Sequence, residues 1–286
     1  MPDIQIRSLS HAYSRGTPFE KVALDNISLT IPAGQYVALL GRTGSGKSTL
    51  IQHLNGLLSP SSGQILLDGE DVHASKESLR RLRFRVGLVF QYPEYQLFEE
   101  TVWRDIAFGP RNMGLEEAEI GERVRRGAHF ALVPEELFNE SPLELSGGQK
   151  RRVAIAGVLA MAPEVLILDE PLAGLDPEGC RSILKNIENY RRAVGCTVIL
   201  VTHDMDAAAR VAERLIVLEA GRVLMDGTPD EIFSRTQELH RAGLDIPDAA
   251  ALAEALRRRG HALPDSIYTP QQLCDAILSR RGGSVC

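Results

Sequence analysis

A five-residue apolar run, Tyr36-Val37-Ala38-Leu39-Leu40, leads directly into Gly41-Arg42-Thr43-Gly44-Ser45-Gly46-Lys47-Ser48, and helical spacing resumes at Lys47. The octapeptide fits the phosphate-loop pattern, GxxxxGK followed by Ser or Thr, at every fixed position. That pattern needs a buried strand before it and a helix after it, and both flanks are present. A glycine-rich surface turn would have neither. At such a junction the glycines let backbone N–H groups converge on phosphate oxygens, and the helix dipole adds positive potential. Lys47 is then placed to reach the outer phosphates, and the Ser48 hydroxyl to ligate Mg²⁺. The sequence predicts a nucleoside triphosphate site in an α/β fold.

Two more buried-strand runs, residues 165–168 and 197–201, alternate with helical periodicity such as that over 182–194. This pattern indicates a mostly parallel sheet covered by helices. Residues 4–9 and 26–31 alternate apolar and polar side chains as edge-type strands do. The stretch 92–160 is rich in helix formers without buried strands, and predicts a helical subdomain inserted between sheet strands. After Gly227-Thr228-Pro229 only helix-like segments follow, broken at Gly243, Pro247, Gly260, Pro264 and Pro270. The expected division is a nucleotide-binding domain over 1–228 and a small carboxy-terminal helical module over 229–286, its last five residues frayed.

Composition narrows the function. A net charge of −6 argues against nucleic-acid binding by bulk charge. The cluster Arg80, Arg81, Arg83 and Arg85 reads as a solvated face on the way into a strand. Cysteines at 180, 196, 274 and 286 lack the spacing of a zinc site or a disulfide framework. The longest apolar run, Val153 to Ala162, is well short of the ~18 residues of a membrane span, and Pro2, Asp3 and Gln5 interrupt any leader-like opening. The chain is expected neither to cross a membrane nor to carry a visible export signal.

Further motifs supply the rest of a hydrolytic site. The apolar run 165–168 delivers Asp169 and Glu170 to a strand exit. There Asp169 suits a Mg²⁺ carboxylate and Glu170 a general base. Leu145-Ser146-Gly147-Gly148-Gln149 opens a helical run to Met161, with Lys150, Arg151 and Arg152 in its first turns. Those cations oppose the helix dipole, a cost that a nearby anion would offset. The histidines at 11, 53, 73, 129, 240 and 261 read as surface or packing residues.

Taken together, these motifs resemble the nucleotide-binding subunits of ABC transporters. The phosphate loop, Gln91 after Val86 to Phe90, LSGGQ over 145–149, LILDEP over 166–171, Ala173-Gly174-Leu175-Asp176 and His203 stand in that family's order. The resemblance implies an ABC ATPase fold that binds ATP through residues 41–48 with Thr49. It implies Mg²⁺ held by Ser48, Gln91 and Asp169. Gln91 resembles the residue that contacts Mg²⁺ and the attacking water, and His203 the switch histidine that senses the γ-phosphate. Ser146, Gly147, Gly148 and Gln149 resemble the signature that completes the ATP site of a second subunit, and Asp176 the residue that crosses the dimer. Tyr13 matches the aromatic that stacks on adenine, with Phe19 a competing candidate because Ser14 to Glu20 looks inserted.

The segments QYPEYQLF (91–98), Thr101-Val102 and Asp105 to Pro110 narrow the resemblance to the ATPases of energy-coupling factor transporters, closest to the second of their paired ATPases. Such a subunit hydrolyses ATP to energise uptake of a vitamin or transition-metal ion. Its implied partners are a second ATPase subunit, a transmembrane coupling subunit and a separate substrate-binding membrane subunit, with no nucleic acid. Its implied place is the cytoplasmic face of the membrane. An ordinary ABC importer subunit and a soluble ABC protein of translation or repair are the alternatives; the single phosphate loop and the lack of a heptad run disfavour the second. The expected membrane contact is an aromatic floor with an acidic rim of Glu94, Glu99 and Glu100, suited to a helix bearing arginine.

Overall fold

The computed structural model describes residues 3–281. Its first strands, β1 (Ile4–Tyr13) and β2 (Lys21–Ile31), pair antiparallel. A bulge between Ile6 and Leu9, with Ser8 at φ 49°, shifts the parity of β1 so that Leu9 turns inward. β3 (Tyr36–Leu40) is buried at every residue and runs through the phosphate loop into α1 (Lys47–Leu54). β4 (Ser62–Leu67) returns to pair with β1, and β5 (Glu70–Asp71) pairs with β4. These strands make an antiparallel sheet in the order β2-β1-β4-β5. Of the two runs expected at sheet edges, only β2 lies at one. β1 is interior, because the alternation that marks an edge strand equally marks an inner strand with one face in solvent.

α2 (Lys76–Arg85) leads into β6 (Val86–Val89). The expected helical insertion follows as α3 (Val102–Asn112), α4 (Glu117–Ala131) and α5 (Gly147–Ala160), with a 3₁₀ turn at Pro93–Gln96 ahead of them. Thr101 and Ser146 cap α3 and α5 by accepting backbone N–H bonds that the helices leave unmet.

β7 (Val165–Asp169), α6 (Pro177–Val194), β8 (Thr197–Val201), α7 (Met205–Val211), β9 (Arg214–Glu219) and β10 (Arg222–Gly227) complete the core. The second sheet has the order β10-β9-β3-β8-β7-β6 and is parallel except at β10. One apolar cluster joins this sheet to α3, α4, α5 and α6, and another joins it to α1 and the antiparallel sheet. The carboxyl ends of β3, β6, β7 and β8 therefore open together at one rim, where ligands of open parallel sheets bind.

Four helices follow: α8 (Pro229–Phe233), α9 (Thr236–Arg241), α10 (Asp248–Arg258) and α11 (Pro270–Arg281). Ile232, Phe233, Leu239 and Leu244 share one cluster with Ala38, Leu40, Leu215 and Val217 of the main sheet. Ala249, Ala253, Leu263, Ile267 and Leu273 form a cluster of their own. Packing thus changes near residue 247, whereas the secondary structure changes at 228. The fraying expected over 282–286 lies outside the described residues. No described helix is long and apolar enough to cross a membrane.

Candidate functional site

Two glycines of the phosphate loop sit where a Cβ has no room. Gly46 has φ 107°, and a Cβ there would lie 2.7 Å from the Ala23 carbonyl oxygen. Gly41 has φ 149°, with the Leu218 carbonyl oxygen 2.5 Å from the place of a Cβ. Lys47 folds back over the loop and donates from Nζ to the carbonyls of Gly41 (2.5 Å) and Arg42 (3.2 Å). Burial pulls its ammonium below the ordinary lysine range, against the opposing pull of Glu170 and Asp169. A triphosphate would replace those two carbonyls with the anionic partner that the charge favours.

Around the loop lies a cleft of about 980 Å³. Thr43, Gly44, Gly46, Lys47, Ser48 and Thr49 line it together with Gln91, Asp169, Glu170 and His203. The sequence-predicted residues of the parallel sheet thus meet in one place, although they are spread over more than half the chain. Tyr13 lines the cleft, and its hydroxyl is 3.1 Å from Thr49 Oγ1. Phe19 is 83% exposed and is not among the lining residues. Lys21 and Ala23 of β2 also line it; no local pattern marks them, because the hairpin alone brings them there.

Asp169 ends β7 almost out of solvent, and burial, then the adjacent Glu170, pushes its carboxyl up to about 6. Lys47 and the Ser48 hydroxyl oppose that rise. A carboxylate so placed, with a hydroxyl beside it, is short of positive charge, and this donor set fits a hard divalent cation. Glu170 takes a left-handed conformation, φ 48°, and donates its N–H to the Val201 carbonyl of β8 (2.9 Å). Its Oε2 is 2.8 Å from His203 Nδ1. An ionised carboxylate only accepts, so Nδ1 carries the proton and Nε2 is left for another partner.

The signature residues are elsewhere. Ser146 and Gln149 form a reciprocal capping box at the start of α5, and Asp176 caps α6 by accepting from the Gly179 N–H (2.6 Å). None of residues 146–149, nor Asp176, lines the cleft of its own chain. The charge of the first turns of α5 is met partly from inside: Arg151 pairs with Glu94 and donates to the Ala173 carbonyl.

That pairing engages one member of the expected acidic rim within the chain. Glu94 faces Arg151, and Glu100 pairs with Arg104 on the same helix end. Neither they nor Glu99 line the neighbouring groove of about 920 Å³. Its apolar floor is Phe84, Leu97, Phe98, Phe108 and Met161, and its carboxylate is Asp105. Asp105 Oδ1 accepts from the Phe98 N–H, while Oδ2 is buried with no partner among the described residues, and burial raises the carboxyl. Trp103 packs inward on Phe138 instead. Of the arginine cluster, Arg80, Arg81 and Arg83 are exposed, as a solvated face would be, whereas Arg85 spans Glu164 and Asp68. His53 and His11 link α1 to β1, with His53 Nε2 3.1 Å from His11 Nδ1, in keeping with a packing role.

Residues 24–173 match the family model described as ABC transporter. The energy-coupling factor transporter ATP-binding protein EcfA2 of Symbiobacterium thermophilum is 53% identical over 274 residues, covering 96% of this chain and 95% of that protein. Its namesake from Clostridium perfringens is 50% identical over 276 residues, covering 96% and 97%. Among solved structures, cbiO1 from Clostridium perfringens, part of the ABC transporter complex cbiONQ, superposes with a TM-score of 0.74 at 40% identity, over 90% of this chain and 97% of that one. An ATP-binding cassette solved as a dimer in a post-hydrolysis state with ADP and Pi gives 0.71 at 28% identity, over 79% and 98%. With its phosphate loop, strand-borne acidic pair and signature in place, this chain belongs to the ABC transporter ATP-binding family, among the energy-coupling factor ATP-binding proteins.

Proposed function

We propose that the chain is the ATP-hydrolysing subunit of an energy-coupling factor transporter and drives uptake of a vitamin or transition-metal ion. Its relatives of that name support this reading. In the hydrolytic step the phosphate loop and Lys47 hold the triphosphate, and Tyr13 packs on the base. Glu170, oriented by His203, takes the proton of the attacking water. Magnesium arriving with ATP would be held by Ser48, Asp169 and Gln91, and would supply neutralising charge at the phosphates. The groove beside Gln91 suits an arginine-bearing helix of a transmembrane subunit, with Phe98 and Phe108 as apolar contacts and Asp105 as the carboxylate among its lining residues. That docking would hold the chain at the cytoplasmic face of the membrane, next to the separate subunit that selects the substrate.

One observation carries the reading: the signature lies outside the cleft of its own chain. In this reading a second ATPase subunit supplies it, and ATP becomes the glue of a dimer. In a Glu170→Gln background, MgATP should drive the chain, alone or mixed with its paired subunit, into a dimer seen by analytical ultracentrifugation. Adding Ser146→Arg should abolish that dimer while the monomer still binds a fluorescent ATP analogue. Loss of nucleotide binding by the Ser146→Arg monomer would refute the two-chain site.

A further inference from the structure

Arg151 lies five residues past the Ser146 cap, in the early turns of α5, and is only 6% exposed. A cation there meets the positive end of its own helix and has also left water. Such a side chain persists only where its donors are satisfied. Two segments far away in sequence satisfy them. Nη2 donates to Glu94 Oε1 (3.2 Å), Nε to Glu94 Oε2 (3.4 Å), and Nη1 to the Ala173 carbonyl (2.6 Å).

Each segment leads to a reacting group. Glu94 sits in the 3₁₀ turn that begins two residues after Gln91. Ala173 donates its N–H to the Glu170 carbonyl (3.3 Å), closing the turn that begins at Glu170. One planar guanidinium therefore joins the signature helix, the turn after Gln91 and the turn after Glu170. The two carboxylate bonds and the carbonyl bond use different edges of the fork, a geometry that lysine cannot reproduce.

We propose that Arg151 is a positioning residue for hydrolysis. Through Glu94 and the Ala173 carbonyl it holds Gln91 and Glu170 in register with the helix that reads the partner's nucleotide. This rests on the hydrolytic reading above. When α5 moves onto the nucleotide of the second subunit, the fork carries both turns with it. Closure of one ATP site thereby orders the water-handling groups of the other.

The test uses the full chain, assayed with MgATP alone or with its paired subunit. Glu94→Gln and Arg151→Met should each lower kcat about tenfold, because groups that act as a unit fail together. The ATP KM and the affinity for a nonhydrolysable analogue should stay unchanged, since neither residue lines the cleft. The double variant should fall no further than either single one, and Arg151→Lys should not restore the rate. In the nucleotide-free chain, amide hydrogen exchange should accelerate over 92–98 and 170–176 together, and not over 41–50. A packing staple would lower only the melting temperature and leave kcat per folded molecule intact. Wild-type kcat in the single variants, additive losses in the double variant, or acceleration in neither segment would each overturn the proposal. A wild-type chain without hydrolysis would refute the hydrolytic reading instead, and the exchange comparison would still judge the fork.

Discussion

The acidic pair at the end of β7 shows how one sheet position sets the state of two carboxyls. Asp169 is the last residue of a buried strand, and its carboxyl is pushed up to about 6; Glu170, one residue on, is bonded to the next strand and to His203. A carboxyl raised in the folded state disfavours folding once it ionises. Stability from this group is complete below the unfolded value near 4 and is lost as pH rises through about 6. Without nucleotide or metal, Asp169→Asn should therefore stabilise the chain by up to about 3 kcal/mol near pH 7.5, and by only about 1 kcal/mol near pH 4.5. Urea denaturation in EDTA at both pH values checks this. An equal gain at the two pH values would show that the Asp169 charge carries no penalty. Glu170 adds a second cost, since a non-glycine residue in the left-handed region stores about 1–3 kcal/mol. The Val201 bond and the His203 contact hold it there.

The helices of the insertion depend on contact as well as on propensity. A Cβ at Gly127 of α4 would lie 2.6 Å from the Ala156 carbonyl oxygen and 2.9 Å from the Ala160 nitrogen of α5. Alanine in a helix interior is favoured over glycine by about 1 kcal/mol. Overpacking against a backbone that cannot yield costs about 1–3 kcal/mol, and here it wins. Gly127→Ala should lower the urea midpoint, and a raised midpoint would mean that the two helices can part freely. Elements of this kind were legible where the signal was local. The strand-loop-helix of residues 36–54, the run ending at Asp169 and the helix that opens at LSGGQ follow from neighbours in sequence. What was not legible is set by distance: Glu94 meets an arginine 57 residues away. The wall formed by Lys21 and Ala23 exists only because β2 folds back beside the loop. A carboxylate on an acidic segment looks available until its partner arrives from another helix.

For the whole molecule, the place where the chain can be divided matters. Removal of everything after Thr228 would strip Ile232, Phe233, Leu239 and Leu244 from the cluster over β3 and β9. At about 1.5–3 kcal/mol for each buried side chain, that loss rivals the 5–15 kcal/mol stability of a typical domain. A chain ending at 228 should fail to fold. One ending at Pro247 loses the small cluster of α10 and α11, the Tyr268 contact with Phe233 and the Asp248 N–H bond to Asp206, and it should melt cooperatively and bind nucleotide. Cooperative melting of the shorter piece would show that α8 and α9 are dispensable.

The seam between the two sheets runs under the cleft, where Gly46 and Gly221 both press on Ala23. On one side, β1 and β2 bring Tyr13, Lys21 and Ala23 to the cleft; on the other, the phosphate loop, Gln91, Asp169, Glu170 and His203 end or follow strands of the parallel sheet. In the proposed ATP site, preference among purines would fall to two strands that carry none of the proposed hydrolytic residues. A change in β1 or β2 at this wall would then alter which base is accepted while leaving the phosphate loop and the acidic pair at the end of β7 in place.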